Sequence, residues 1–158
     1  MGVLSVKYLG LDLKSPVIVS SSRLTSTIPN LLEAQKNGAG AVVLKSLFEE
    51  QINIQAGMIP DYAGYPEADD YIRNYSVANS VDEYLALIKN AKKELSIPVI
   101  PSVNCFSSGS WIDFAKKMED AGADAIEVNM FFLPNDKKIN SSAAEKARRN
   151  RRSPRPPK

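Results

Sequence analysis

Along this chain, short runs of aliphatic and β-branched residues alternate with stretches whose apolar positions repeat at helical spacing. Val17-Ile18-Val19 follows Pro16 and runs into Ser20-Ser21-Ser22, which predicts a buried strand ending in a polar loop. Pro29, suited to a first helical position, opens a segment with Ile28, Leu31 and Leu32 on one face, and Gly38 closes it. Ala41-Val42-Val43-Leu44 predicts a second strand, ending at Lys45-Ser46. Ser80 and Glu83 have capping-box spacing, and Val81, Tyr84, Leu85 and Ile88 follow at i, i+3, i+4 and i+7, a helix to about Leu95. Val99 to Val103 predicts a third strand with Pro101 inside it, ending at Asn104. Ser110 with Asp113 starts a further helix whose apolar face is Trp111, Phe114, Ala115 and Met118, and Gly122 stops it. Ala125 to Met130 is the fourth strand, ending near Asn129, and ahead of all these Val3 to Lys14 alternates around Gly10 as a small hairpin would.

One internal similarity supports this division. Gly38-Ala39-Gly40-Ala41-Val42-Val43-Leu44-Lys45 lines up with Gly122-Ala123-Asp124-Ala125-Ile126-Glu127-Val128-Asn129, so helix exit, tight turn and buried strand recur. Repeated strand and helix units joined by short turns imply a parallel sheet with right-handed crossovers. The expected fold class is α/β: strands near 17–20, 41–45, 99–104 and 125–129 lie parallel in that order with helices outside. Four such units are half of a (β/α)₈ TIM-type barrel, whose usual length is roughly 250 residues. An open doubly wound sheet is the other arrangement, but no G-x-G-x-x-G or G-x-x-x-x-G-K-[ST] fingerprint follows any strand. The barrel is favoured, truncated to about its first four units.

Composition narrows the chemistry. The 158 residues include no histidine and one cysteine, which removes Ser-His-Asp and Cys-His nucleophile machinery, imidazole metal sites and any internal disulfide. No basic start with an apolar run opens the chain, and no stretch nears the roughly 18 apolar residues of a membrane span, so a soluble cytoplasmic protein without a membrane partner is expected. The net charge of +2 hides a split: from Ala143 on, Lys146, Arg148, Arg149, Arg151, Arg152, Arg155 and Lys158 face Glu145 alone. Residues 1–142 keep 13 basic and 17 acidic groups. The division expected is a folded body over 1–142 and a basic, disordered tail over 143–158, too poor in apolar side chains to offset its ordering entropy. Such a tail suits salt-sensitive contact with polyanions, but an accidental end from a shifted frame or truncation accounts for it as well and is preferred.

In a parallel barrel, chemistry sits at the C-terminal ends of the strands. Those ends carry Ser20 and Ser21, Lys45 and Ser46, Asn104 and Cys105, and Asn129. Two amides, an ammonium and several hydroxyls suit a polar heterocycle better than a metal ion or a carboxylate pair. Singly, each has a plain structural use: a loop asparagine satisfies backbone, a lysine after a strand is solvated, and Cys105 is a small buried hydrophobe. Glu127, in mid-strand, is expected to pair with a cation inside the sheet. The interval from Phe48 to Asn79 is too long for an ordinary connection. Its tyrosines suit either a ligand-covering excursion or a segment packed on a second copy of the chain.

Taken together, Tyr8-Leu9-Gly10-Leu11, Ser15-Pro16-Val17, Ser20-Ser21-Ser22, Gly38 to Ser46, Ser102-Val103-Asn104, and Glu127-Val128-Asn129 with Pro134-Asn135 resemble the N-terminal half of dihydroorotate dehydrogenases. The resemblance runs from about Tyr8 to Lys138 and implies an FMN-binding TIM barrel that oxidises dihydroorotate to orotate in pyrimidine biosynthesis. It implies that Ser20 and Ser21 touch the flavin, that Lys45 with Ser46 contacts its ring system, and that Asn104 and Asn129 bind flavin or substrate. Asn135 matches a substrate-binding position.

Two positions depart from the family pattern within that stretch: Ser22 stands where a glycine is usual, and Met130-Phe131-Phe132-Leu133 replaces the loop that carries the family's base. Cys105 on the neighbouring loop is the substitute base, and the small-molecule substrate is dihydroorotate or a similar heterocycle. The four further strands the family would supply do not follow Ile139 in this sequence, so activity and tight FMN binding are not expected of these 158 residues alone. Outside this reading stand a Schiff-base aldolase using Lys45 as nucleophile and a non-enzymatic half-barrel whose tail binds nucleic acid.

Overall fold

The computed structural model describes residues 4–48, 81–105, 110–130, 140–142 and 145–146, with backbone alone at 105, 110–113 and 130. The hairpin forms first: β1 (Val6–Tyr8) and β2 (Leu11–Leu13) pair antiparallel, with Val6 opposite Leu13. Its two turn residues, Leu9 and Gly10, both have positive φ (51° and 80°), as a two-residue loop matched to strand twist requires.

Next come β3 (Ile18–Val19), α1 (Ile28–Lys36), β4 (Ala41–Val43) and β5 (Leu47–Phe48). They are followed by α2 (Val81–Glu94), β6 (Val99–Ile100), β7 (Ser102–Cys105), α3 (Ser110–Asp120) and β8 (Glu127–Met130). The parallel ladders run β3-β4-β6 and β5-β7-β8. Since β4 and β5 share one run of chain, and β6 and β7 share another, the four expected strands stand side by side in sequence order, all parallel. The structure therefore bears out the α/β class and the strand order. The strands are more broken than the apolar runs suggest, because Pro101 has no N–H to give and interrupts the third one.

Alternation along the strands separates two apolar clusters. Val42, Leu44, Leu47, Val99 and Val103 pack with Leu31 of α1, Tyr84, Ile88 and Ala91 of α2, and Phe114 and Met118 of α3. Ala41, Val43 and Ile100 face the other way and meet Leu13 of the hairpin, with Leu11, Ile18 and Ala125 beside them. Helices thus cover one face, and the hairpin covers the other near the starts of the strands, leaving the C-terminal ends clear of it.

Period 2 also exposes an irregularity. Leu44 and Leu47 both belong to the helix-side cluster although they are three positions apart. An odd separation on one face requires an extra residue in the strand, so the backbone bulges at Lys45-Ser46, between β4 and β5.

The internal sequence similarity is a structural repeat. Gly38 (φ 93°) and Gly122 (φ 97°) each follow a helix in the left-handed region, where glycine carries no Cβ penalty. Gly38 N–H donates to Gln35 O and Ala39 N–H to Ala34 O, while Gly122 N–H donates to Glu119 O and Ala123 N–H to Met118 O. Both are Schellman exits. The next residue also plays one part in both copies: Gly40 N–H donates to Val17 O at 2.7 Å, and Asp124 N–H to Val99 O at 3.1 Å. The two copies differ in the room beside that residue, and in that β4 starts directly after Gly40 whereas β8 starts three residues after Asp124. A Cβ on Gly40 would run into the Ser15 carbonyl oxygen. Asp124 has space for a carboxylate, which accepts from Val99 N–H at 2.7 Å and holds Lys92 at 2.7 Å.

Several expectations fall outside the described residues: the Ser80 cap, the 49–79 excursion, Asn135, and the tail except for Glu145 and Lys146, whose backbone is helical. Among the described residues no helix is long and apolar enough to cross a membrane, and no three His, Cys, Asp or Glu side chains are grouped as a metal site would need.

Candidate functional site

The C-terminal strand ends meet through side-chain hydroxyls. The bulge lets Ser46 reach two neighbours at once: its Oγ lies 2.9 Å from Ser21 Oγ, after β3, and 2.8 Å from Ser102 Oγ, on β7. Ser46 N–H also donates to Ser21 Oγ at 2.9 Å. Ser102 Oγ in turn donates to Glu127 Oε1 on β8 at 2.6 Å. One line of polar groups therefore crosses the sheet, from the ends of β3 and β4 to the first residues of β7 and β8.

Asn104 and Asn129 stand directly opposite each other in the β7–β8 ladder, two positions beyond the Ser102 and Glu127 pair. Residues two apart on a strand share a face, and paired residues of parallel strands share it too. All four thus lie on the sheet face of Ile100, away from the helices. Asn104 Oδ1 is buried with no hydrogen-bond partner among the described residues. A buried amide oxygen without a donor costs about 1–3 kcal/mol, which a ligand N–H at that point would recover.

Lys45 is half-buried, and its backbone N–H donates to Thr25 O. Among the described residues its ammonium has no carboxylate within ion-pair distance, in contrast to Lys92. Ser22, the departure from glycine, has extended backbone (φ −164°), which any residue adopts. It caps the short 3-10 turn Arg23–Thr25: its N–H donates to Thr25 Oγ1, its Oγ accepts from Leu24 N–H, and Thr25 Oγ1 donates to its carbonyl. Ser20 is exposed at the end of β3, and Cys105 ends β7 opposite Met130.

The structure thus joins Ser21 to Ser46 and sets Asn104 beside Asn129, as the strand-end argument expects. It also brings in three more residues: Ser102 and Tyr84, given no polar role from the sequence, and Glu127, for which a cation partner is expected. Ser102 and Glu127 are polar positions two before Asn104 and Asn129, and period 2 would have put them on the same face. Among the described residues Glu127 has no cation within ion-pair distance, and its carboxylate accepts a hydrogen bond from the Ser102 hydroxyl.

Tyr84, the third, sat in plain view as an apolar helix position. Its hydroxyl accepts from Ser102 N–H at 2.9 Å and donates to Ser102 O at 3.2 Å. The phenol thus serves the Ser102 backbone as both donor and acceptor. Burial, opposed in part by the hydrogen bond to Ser102 and reinforced by Glu127, holds the phenol well above its ordinary pKa.

A folded-state pKa raised in this way stabilises the protein below about pH 10, where an unfolded tyrosine keeps its proton, and that stability is lost as pH rises beyond it. Tyr84→Phe is expected to cost about 2 kcal/mol at neutral pH by orphaning both Ser102 backbone groups. It should also flatten the loss of stability above pH 10 relative to the parent chain, as measured by urea unfolding across that range.

No protein-family model matches the chain. Curated relatives do. Over 132 residues it is 32% identical to the catalytic subunit of dihydroorotate dehydrogenase B (NAD(+)) from Thermoplasma acidophilum, covering 82% of this chain and 42% of that protein. The same subunit from Thermoplasma volcanium is 30% identical over 131 residues, and that from Methanocaldococcus jannaschii 30% over 137, again with 42% of each relative covered. The chain spans well under half the length of the curated relatives it matches. The chain is thus similar to dihydroorotate dehydrogenases over about 42% of their length.

Proposed function

We propose that the strand-end mouth is part of an FMN site and that the chain serves flavin-dependent oxidation of dihydroorotate or a closely similar cyclic amide. The single observation that carries this is Asn104 Oδ1, a buried acceptor with no donor among the described residues, set at the C-terminal end of a parallel strand. The relatives' names give the reaction class, and the polar groups suit the cofactor: amides and hydroxyls for a planar heterocycle, with Lys45, whose ammonium has no carboxylate in ion-pair range among the described residues, to meet developing negative charge.

In this reading the four parallel units form half of a (β/α)₈ barrel, and residues 1–142 are its folded body. Asn104 Oδ1 accepts an N–H of the flavin or substrate ring, and Asn129 beside it offers an amide to the same ring edge. Ser20, Ser21 and Ser46 line the flavin side, and Asn135 binds substrate. FMN, when bound, supplies the hydride acceptor for C6 of dihydroorotate. The C5 proton leaves to a base, for which the Cys105 thiol is the candidate, and Lys45 holds an ammonium where reduction leaves charge.

The test is anaerobic mixing of FMN and dihydroorotate with the chain joined to the part of a relative's barrel that it does not span, the relative's part alone being the control. Loss of the flavin's visible absorbance only when chain and dihydroorotate are both present is the expected outcome. Borohydride trapping of a carbonyl compound on Lys45, with FMN left oxidised under all conditions, would replace this reading with the aldolase.

A further inference from the structure

We propose that Glu127 is a positioning residue: it sets the direction of three hydroxyls that cross the sheet from β8 to the end of β3. The argument is a count of protons. A carboxylate only accepts, and a serine hydroxyl has one proton to give. Ser102 Oγ gives its proton to Glu127 Oε1 at 2.6 Å, a length typical of a hydroxyl bonded to a carboxylate. At its 2.8 Å contact with Ser46 Oγ, Ser102 must therefore accept, and Ser46 donates. Ser46 has then spent its proton and must accept at the 2.9 Å contact with Ser21 Oγ. The order is Ser21 to Ser46 to Ser102 to Glu127, each O–H polarised by the next.

The line is braced at both ends. Ser102 is fully buried, with its N–H and carbonyl both bonded to the Tyr84 hydroxyl. Ser21 Oγ accepts Ser46 N–H, which fixes the far end. In consequence Ser21 and Ser46 present lone pairs to the mouth and keep their protons turned inward. Together with Asn104 Oδ1 they make an acceptor surface, one that receives ligand N–H groups. Among the described residues Glu127 bonds to that surface through Ser102, and on this proposal it acts by orienting the hydroxyls rather than by contact with the ligand. What this means for FMN rests on the flavin reading; the hydroxyl order itself does not.

The two serine variants behave asymmetrically if the order is right. In the full chain with labelled serine, hydroxyl protons of Ser46 and Ser102 are followed by proton NMR as they exchange with water. Ser102→Ala removes the acceptor of Ser46 and should speed Ser46 hydroxyl exchange about tenfold. Ser46→Ala leaves the Ser102 to Glu127 bond intact, so Ser102 exchange should stay within about twofold. Glu127→Ala should speed both, whereas Glu127→Gln, which keeps an acceptor, should speed neither.

The reverse asymmetry, or Ser46 and Ser102 exchange unchanged in Glu127→Ala, would overturn the proposal. In the binding arm, Glu127→Ala should weaken FMN about tenfold and Glu127→Gln less than about threefold. Equal weakening by both variants would overturn the positioning role, because charge rather than orientation would then decide. If the exchange pattern holds and the parent chain binds no FMN, the flavin reading fails and the hydroxyl order stands.

Discussion

Gly40→Ala should lower the unfolding free energy by about 3 kcal/mol, toward the upper end of overpacking changes. The added methyl group meets the Ser15 carbonyl oxygen, which is backbone and not the movable tip of a side chain. Relief by displacement is costly on both sides. Gly40 N–H is bonded to Val17 O, and Ala41, directly after it, is fully buried against Leu13 of the hairpin. Backbone freedom is not the issue, since Gly40, unlike Gly38, is not among the positive-φ residues. The control is the equivalent turn residue, Asp124, where a side chain is already accommodated: Asp124→Ala should cost less, about 1–2 kcal/mol, through loss of the bonds to Val99 N–H and Lys92. Urea denaturation of the three proteins measures both differences.

Lys45→Ala should slow reduction of bound flavin by dihydroorotate about a hundredfold, the scale on which a single donor aimed at developing charge acts in a water-poor site. The expectation rests on two features. Lys45 stands half-buried at a strand bulge, held by its backbone bond to Thr25 O, so its position is fixed without use of the ammonium. That ammonium has no carboxylate in ion-pair range among the described residues. Oxidised FMN gains no negative charge at the ring, so its binding should change far less. Stopped-flow bleaching of the flavin separates the two effects, and equal losses in binding and reduction would assign Lys45 to uniform binding.

Much of this architecture was legible in the sequence because it repeats. The helix exits at Gly38 and Gly122 carry the glycine their φ demands, and the apolar runs after them could only be buried strands. The break at Pro101 was not read from the sequence, which predicts one strand from Val99 to Val103. The bulge at Lys45-Ser46 was not legible, because its signature is two helix-side leucines at an odd separation, and that shows only once the faces are known. It also decides which serine of the strand ends reaches Ser102. Ser102 and Glu127 could have been found by counting back two from each asparagine, but a lone serine inside an apolar strand reads as filler. Nothing in the sequence marks Tyr84 as more than a core aromatic. Its polar role is to bond both backbone groups of Ser102, a contact between helix and strand that no local pattern announces.

The central claim is that this mouth binds a flavin through Asn104, and titration of the chain with FMN, followed by quenching of flavin fluorescence, tests it most directly. A weak but saturable single site is predicted, weakened about tenfold by Asn104→Leu, which removes the unpaired acceptor and its amide while keeping the side chain's size. Quenching that never saturates, or that is identical in the parent chain and Asn104→Leu, would contradict it.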